Sequence, residues 1–311
     1  MRNTLLTLLG VLILLAVAAI AIFVWLTRTP EPAPPPAPSA GEYRIEAAGL
    51  NWRVRDDGSP DAPVIVLMHG FSHSLEGFDA WAEGLSGDYR VIRFDLPGHG
   101  VTGPHPDGAY SNEATTEQVA ALLDALALDR FVIGGNSLGG LVAWRYAAAH
   151  PERVAGLVLI SPGGYSINNV GNTPQEATLP VQMFLRMAPD AGIQLATQAL
   201  YGDPERLSEA RVAEIGQMMR QPGIGDALVA RISQFTLPDP EPVLATIEAP
   251  ALILWGNQDR MIPADHGPRF VAAMPDARLV TYEGVGHIAM EEIPGQSLAD
   301  VRTFLSEIGW N

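Results

Sequence analysis

Phe131-Val132-Ile133-Gly134-Gly135-Asn136-Ser137-Leu138-Gly139-Gly140 is the stretch that decides the fold. Phe131 to Ile133 is a short apolar, β-rich run of the kind that forms a buried strand. A turn through Gly134 to Gly139 follows, and Leu138 to Ala149 reads as a helix stopped by Pro151. Strand, glycine turn and helix are the context in which Gly135-Asn136-Ser137-Leu138-Gly139 works as a G-x-S-x-G elbow. The turn is tight enough that a side chain two residues to either side of Ser137 is expected to strike a neighbouring strand or helix. The serine Oγ is then held above the sheet at a helix N-terminus, whose partial positive charge favours a developing anion. The plainer reading is a glycine-rich turn with an N-cap serine, so the motif needs its context. A P-loop needs Lys after its second glycine, and the residue after Gly139 is Gly140. A dinucleotide loop needs glycine at its first, third and sixth positions, which neither register supplies.

The totals narrow the chemistry. The chain has 311 residues, of which 47% are hydrophobic, enough to bury the core of one large α/β domain. It has no Cys, which removes disulfides, thiol nucleophiles and thiolate metal sites. It also has no Lys, which removes Schiff-base chemistry, and all 19 basic residues are Arg. The first 30 residues hold Arg2 and Arg28 and no acid; the remainder carries 17 Arg against 35 acids. Such a domain repels nucleic acid and anionic lipid, so no nucleic-acid partner is expected. General solubility is a sufficient account of the charge.

Leu5 to Leu26 is 22 residues without a charge. At ~1.5 Å per residue it spans roughly 33 Å, against a hydrocarbon core of ~30 Å. A cleavable signal has an apolar core of only ~7–15 residues. Ala16-Val17-Ala18 has the look of a cleavage box, yet Ile20 to Leu26 stays apolar beyond it. Residues 1–28 are therefore expected to be an uncleaved transmembrane anchor, with Arg2 and the amino terminus favouring the cytoplasmic side. The catalytic domain then lies outside the cytoplasm, periplasmic if the source is bacterial. Residues 29–41 contain six prolines and read as a stiff, extended linker.

From residue 42 strands and helices alternate. Tyr43 to Ala47 and Leu50 to Arg55 read as an antiparallel pair, and Val64 to Met68 as a central strand ending in His69-Gly70-Phe71. Tyr89 to Phe94 is a strand closing in Asp95-Leu96-Pro97-Gly98-His99-Gly100. Thr115 to Leu128 has helical periodicity, and Gly156 to Ile160 is the strand after the elbow. From residue 165 to 248 strands lapse into short Met- and Leu-rich helical pieces broken by Pro180, Pro189, Pro204 and Pro222. Alternation resumes at Ala251 to Trp255, Arg278 to Tyr282 and a last helix to Ile308. The expected fold is α/β: a mostly parallel, eight-stranded sheet with helices on both faces. Residues 42–164 and 249–311 form its core, and residues 165–248 a helical cap inserted after the sixth strand.

A serine hydroxyl needs a base within reach, and the base needs an orienting acid. Both are sought at the carboxyl ends of parallel strands. Asp259 follows the strand ending at Trp255, and His287 the strand ending at Tyr282, giving the chain order Ser137, Asp259, His287. The plainer readings are a turn aspartate and a capping histidine. His69 is a tempting rival base, but the backbone matters more there: the N–H groups of Phe71 and Leu138 can converge on an acyl oxygen. His73, His99 and His105 read as loop residues, no metal site is assigned, and nothing in the pattern asks for a cofactor. Asp95 reads as a tie for the turn through Gly98 and Gly100.

His69-Gly70-Phe71, Asp95 to Gly100, Gly135 to Gly140, Gly256-Asn257-Gln258-Asp259 and Gly286-His287, taken together, resemble the α/β-hydrolase superfamily from about Tyr43 to Leu305. The resemblance implies Ser137 as nucleophile, His287 as general base then acid, and Asp259 as its orienter. It also implies an oxyanion hole from Phe71 and Leu138, with the insert as substrate cap; Gly70, Met183, Phe184 and Ile288 are taken as substrate-binding. Ser137 departs from the dehalogenase and epoxide-hydrolase branches, which use Asp there. Asn136-Ser137 and Ser161-Pro162-Gly163-Gly164 are similar to the meta-cleavage-product hydrolases, which cut C–C bonds. Those enzymes usually carry Trp after the catalytic His, where this chain has Ile288.

Three functions compete. The first is a membrane-anchored serine hydrolase of small, largely apolar carboxylic esters. The second is a C–C hydrolase of diketone-like acids. The third is a non-catalytic binding module on a hydrolase fold, against which the complete set Ser137, Asp259 and His287 argues. Met183, Phe184, Leu185, Met187, Leu195, Leu200, Met218, Met219 and Phe235 are expected to divide between the cap's own core and an apolar pocket. Only Arg186, Arg206, Arg211, Arg220 and Arg231 are available in the insert to meet a substrate carboxylate.

Overall fold

A computed structural model describes residues 39–311. The anchor expected at residues 1–28, and residues 29–38 of the linker, lie outside the described residues. Among those described, no helix is long and apolar enough to cross a membrane.

Eight strands form one sheet: β1 (Glu42–Ala47), β2 (Leu50–Asp57), β3 (Val64–Met68), β4 (Arg90–Phe94), β5 (Phe131–Asn136), β6 (Val154–Ile160), β7 (Ala251–Gly256) and β8 (Ala277–Tyr282). Their order is β1-β2-β4-β3-β5-β6-β7-β8. β2 pairs antiparallel with β1 and β4, and every other pairing is parallel, as the alternation predicts. The core helices are α1 (Asp79–Leu85), α2 (Asn112–Ala125), α3 (Leu138–Ala149), α9 (His266–Ala273), α10 (Ala289–Glu292) and α11 (Pro294–Glu307). Five helices lie between β6 and β7: α4 (Leu179–Met187), α5 (Asp190–Gln198), α6 (Glu209–Met219), α7 (Ile224–Ile232) and α8 (Glu241–Leu244).

β3, β6 and β7 are apolar at every position because both faces of the sheet are covered there. On β3, Val66 and Met68 join the core beneath α2, α3 and α9, while Ile65 and Leu67 join the core beneath α1 and α11. A third cluster, with Leu185, Ile193, Ile215, Ile224 and Leu228, belongs to the insert itself.

Two local expectations shift. β5 runs to Asn136, three residues past the predicted strand end, because Gly134 and Gly135 stay in register with Leu67 and Met68 on one side and Val158 and Leu159 on the other. α2 starts at Asn112, with Ser111 Oγ accepting from Ala114 N at 3.1 Å, and Ala127 leaves it at φ +51°. Its first turn is polar, so hydrophobic periodicity begins only near Thr115.

The chain moves from β3 to β4 on one side and then returns to lay β5 on the other. That reversal opens a crevice at the carboxyl ends of β3 and β5, the place where open α/β sheets bind ligands. The loops bearing Phe71 and Ser137 leave these two strands.

Candidate active site

Ser137 sits between β5 and α3 at φ +54°, ψ −112°, a conformation that costs an L-residue of order 1–3 kcal/mol. Ser137 N donates to Ile160 O at 3.0 Å, and Ser137 O accepts from Gly163 N at 3.0 Å and Leu141 N at 2.9 Å. The flanking glycines answer the steric expectation. A Cβ on Gly139 would lie 2.2 Å from Met68 O, and one on Gly135 would lie 2.5 Å from the Gly139 carbonyl carbon. Asn136 Nδ2 donates to Ile160 O at 3.1 Å and to His287 O at 2.9 Å, joining the elbow to the loop after β8.

His287 Nδ1 is 2.7 Å from Asp259 Oδ2. The Asp259 carboxylate is fully buried, and its Oδ1 accepts from Met261 N at 2.8 Å and Ile262 N at 2.9 Å. Burial pushes this carboxyl up, but His287 and those two N–H donors outweigh burial and leave its pKa below the usual value. An ionised carboxylate only accepts, so His287 Nδ1 carries the proton in this contact. Ser137 and His287 line one cavity of about 400 Å³ between the sheet and the insert.

His69 is not a base. Leu96 N donates to its Nε2 at 2.9 Å, and its Nδ1 is 2.8 Å from Gly70 O, so Nδ1–H donates there. Burial drives its pKa down to about 3. The ring is a neutral strut that ties the β3 loop to the β4 loop. The N–H groups of Phe71 and Leu138 have no protein acceptor among the described residues. A Cβ on Gly70 would stand 2.8 Å from Asn136 Oδ1 and 3.3 Å from Ser137 Cβ. Asp95 ties its turn as expected: Oδ2 accepts from Val101 N at 2.8 Å and Oδ1 from Leu75 N at 2.9 Å.

Gly70, Phe184 and Ile288 line the cavity with Ser137, and so do Leu200, Met219 and Phe235 from the insert. Met183 is a correction. It is 39% exposed and absent from the cavity wall, because consecutive helical residues point about 100° apart and Phe184 takes the inward direction on α4. Leu195 is likewise exposed, while Leu185 and Met218 pack in the insert's own core. Four of the insert's five arginines pair with acids: Arg186 with Asp226, Arg206 with Asp203, Arg211 with Glu291 and Arg220 with Asp190. Only Arg231 of the five reaches the cavity wall. Its Nη atoms donate to Pro97 O at 2.8 Å, Thr115 Oγ1 at 3.0 Å and Tyr110 O at 3.3 Å, and the side chain is 1% exposed.

Sequence reading missed a pair of carboxylates behind the histidine. Glu291 is held by Arg211 Nε at 2.7 Å and lies 3.3 Å from His73 Nε2. Glu292 accepts three backbone N–H groups. Two adjacent acids in an otherwise apolar run, Ile288 to Ile293, were the available signal.

The α/β-hydrolase-fold family model matches residues 63–294. The chain belongs to this family. A 2-hydroxy-6-oxononadienedioate/2-hydroxy-6-oxononatrienedioate hydrolase from Dechloromonas aromatica (strain RCB) is 30% identical over 259 residues, covering 80% of this chain and 89% of that one. Lipase 1 from Psychrobacter immobilis is 24% identical over 261 residues, covering 84% and 82%. Among solved structures, a bacterial membrane phospholipase A superposes with a TM-score of 0.74 at 25% identity, covering 99% of both chains. These α/β-hydrolase relatives are hydrolases of more than one bond type.

Proposed function

We propose that this α/β-hydrolase is a serine hydrolase that cleaves carboxylic esters of small, largely apolar substrates through an acyl-enzyme. Ser137 attacks the carbonyl, and His287 takes its proton through Nε2 and returns it to the leaving alcohol. Asp259 holds the imidazole in that tautomer and stabilises the imidazolium. The Phe71 and Leu138 N–H groups receive the oxyanion. Water then repeats the sequence in reverse and releases the acid. The observation that carries this reading is the strained Ser137 facing the same cavity as an imidazole held at 2.7 Å by a buried carboxylate.

The ester preference rests on the cavity wall. It is mostly apolar, with Phe71, Phe184, Leu200, Met219, Phe235 and Ile288 contributing. The only insert arginine that reaches it commits both Nη atoms to core oxygens. Residues 165–248 act as the cap, and residues 42–164 and 249–311 as the core. A membrane anchor at Leu5 to Leu26, with the domain outside the cytoplasm, rests on the length of that uncharged apolar run.

The C–C hydrolase reading keeps one observation in its favour: Arg231 at the cavity wall has an unpartnered Nε. One experiment separates the readings. A fluorophosphonate probe should label the wild type and not Ser137→Ala, and kcat/KM should be higher for p-nitrophenyl butyrate to octanoate than for a meta-cleavage dienoate. A hundredfold advantage for the dienoate would overturn the ester reading. No labelling of either form would favour a non-catalytic binding role.

A further inference from the structure

Glu292, the last residue of α10, is 5% exposed, and among the described residues no cationic side chain pairs with its carboxylate; Arg206 Nη1 donates to its backbone O at 3.4 Å instead. Its Oε2 accepts from Gly286 N at 2.7 Å and from Gly202 N at 3.0 Å, and its Oε1 accepts from Asp203 N at 2.9 Å. Gly286 is the residue before His287, whereas Gly202 and Asp203 belong to the insert. The two segments also meet directly, since His287 N donates to Leu200 O at 2.7 Å. No side chain fits between them: a Cβ on Gly286 would lie 2.3 Å from Leu200 O and 2.5 Å from Gly202 N. The Leu200 side chain lines the catalytic cavity.

We propose that Glu292 is a positioning residue for His287, clamping the base-bearing loop and the insert segment 200–203 into one block beside the substrate. Asp259 sets the rotation of the imidazole, whereas Glu292 fixes the backbone from which that ring hangs. A carboxylate suits the role because it offers acceptor sites only, and three N–H groups converge on it. A glutamine of the same shape has one acceptor oxygen and an NH₂ group, so at least one backbone N–H would face a donor. The loop would have to move, and displacements of about 1 Å at a catalytic group cost on the order of 10²-fold in rate. Substrate contact with Leu200 is transmitted to the peptide that receives the His287 N–H, so occupancy of the cap and alignment of the base are linked.

The inference rests on the serine-hydrolase reading, and the test separates the two. In the full-length chain, Glu292→Gln should slow fluorophosphonate labelling of Ser137 by about 10–100-fold, the same order as a displacement of about 1 Å at a catalytic group costs. The loss should fall on kcat for ester hydrolysis, with KM changed less than about threefold. The downfield proton resonance of the His287 Nδ1–H bonded to Asp259 should shift or broaden. Glu292→Asp, which keeps the anion at a shorter reach, should recover part of the rate, and it carries the test if the glutamine variant does not fold. Wild-type labelling, kcat and proton resonance in a variant that only melts earlier would overturn the proposal, as would a loss confined to KM. If the wild type itself is never labelled, the serine-hydrolase reading fails, and the proton resonance alone decides whether Glu292 positions His287.

Discussion

Asn136 Nδ2 lies 2.9 Å from the carbonyl oxygen of His287, so the residue before the elbow serine holds the peptide of the histidine that lines the same cavity. The same NH₂ group reaches Ile160 O at 3.1 Å. Asn136→Ala removes both bonds in a site that is 1% exposed, leaving two carbonyls without that donor. Each lost bond of this kind costs about 0.5–1.5 kcal/mol. The expected result is a melting point lower by several degrees and a kcat lower by about tenfold, measured by calorimetry and p-nitrophenyl butyrate hydrolysis. An unchanged kcat would mean that the elbow and base loop hold their spacing without it.

Ser137→Ala should leave the fold intact and reduce ester hydrolysis by about 10⁴-fold or more, the size of effect seen when a member of such a triad is removed. Retention of a tenth of wild-type turnover would rule out Ser137 as nucleophile. Ser137→Gly should be as inactive and more stable, by about 1 kcal/mol or more, because glycine accepts φ +54° without the strain.

Acid should destabilise the protein in two stages. His69 is neutral and buried with its pKa pushed down to about 3, and burial likewise holds His99 well below the usual value. Unfolding frees both to take up protons near ~6.5, so the unfolded state binds more protons and stability falls as pH drops from there. Each group contributes a slope of about 1.4 kcal/mol per pH unit while only its unfolded form titrates. The second stage belongs to Glu291. Burial pushes its carboxyl up, but Arg211 and His73 outweigh that and hold it at about 2. Its stabilisation is present above the unfolded value near ~4.3 and is lost as pH falls towards 2. Urea unfolding at pH 7, 6, 5 and 4 checks the first stage, and a flat profile from pH 7 to 5 would contradict it.

Arg211 and Glu291 join the insert to α10 with side chains only 11% and 9% exposed. Arg211→Met strands a buried carboxylate and should destabilise the protein by about 3–5 kcal/mol, whereas Arg211→Met with Glu291→Gln should restore much of that. A double-mutant cycle by denaturant titration measures the coupling; additive losses would deny the pairing.

Much of this arrangement is legible in the sequence, because Ser137, Asp259 and His287 each follow a strand, and strands announce themselves locally. The positions of these three residues could be read from the strands Phe131 to Ile133, Ala251 to Trp255 and Arg278 to Tyr282, the glycine turns that close them and their order along the chain. Glu292 could not. Its partners Gly202 and Asp203 lie about 90 residues away and are backbone groups, which leave no trace in residue type. The helix face of Met183 and Phe184 was equally hidden, since α4 is only nine residues long and apolar on more than one side. The pairing of Arg211 with Glu291 spans 80 residues, a long-range contact that hydropathy does not encode.

The chain-length dependence of ester binding follows from the cavity. With mostly apolar walls and about 400 Å³ of space, affinity in a p-nitrophenyl ester series should rise about fourfold per methylene until the cavity fills, at ~0.8 kcal/mol per buried CH₂. A KM independent of acyl length from butyrate to octanoate would place the acyl chain outside this cavity.

For the amino terminus, a reporter that is active only after export, fused just beyond Ala40, should give signal. Silence there, with a cytoplasmic reporter active at the same junction, would reverse the proposed topology.

The insert leaves and rejoins the sheet between β6 and β7, which invites treating it as an exchangeable module for retargeting specificity. The contacts at Leu200, Gly202 and Asp203 set a condition on such grafts. A donor cap chosen for its pocket alone would arrive without the carbonyl and the two amides that grip the histidine loop, and the chimera would bind its new substrate and turn it over slowly. Graft boundaries drawn to retain residues 200–203 keep that grip, so inheritance in this region is better described by which backbone atoms travel together than by where helices begin and end.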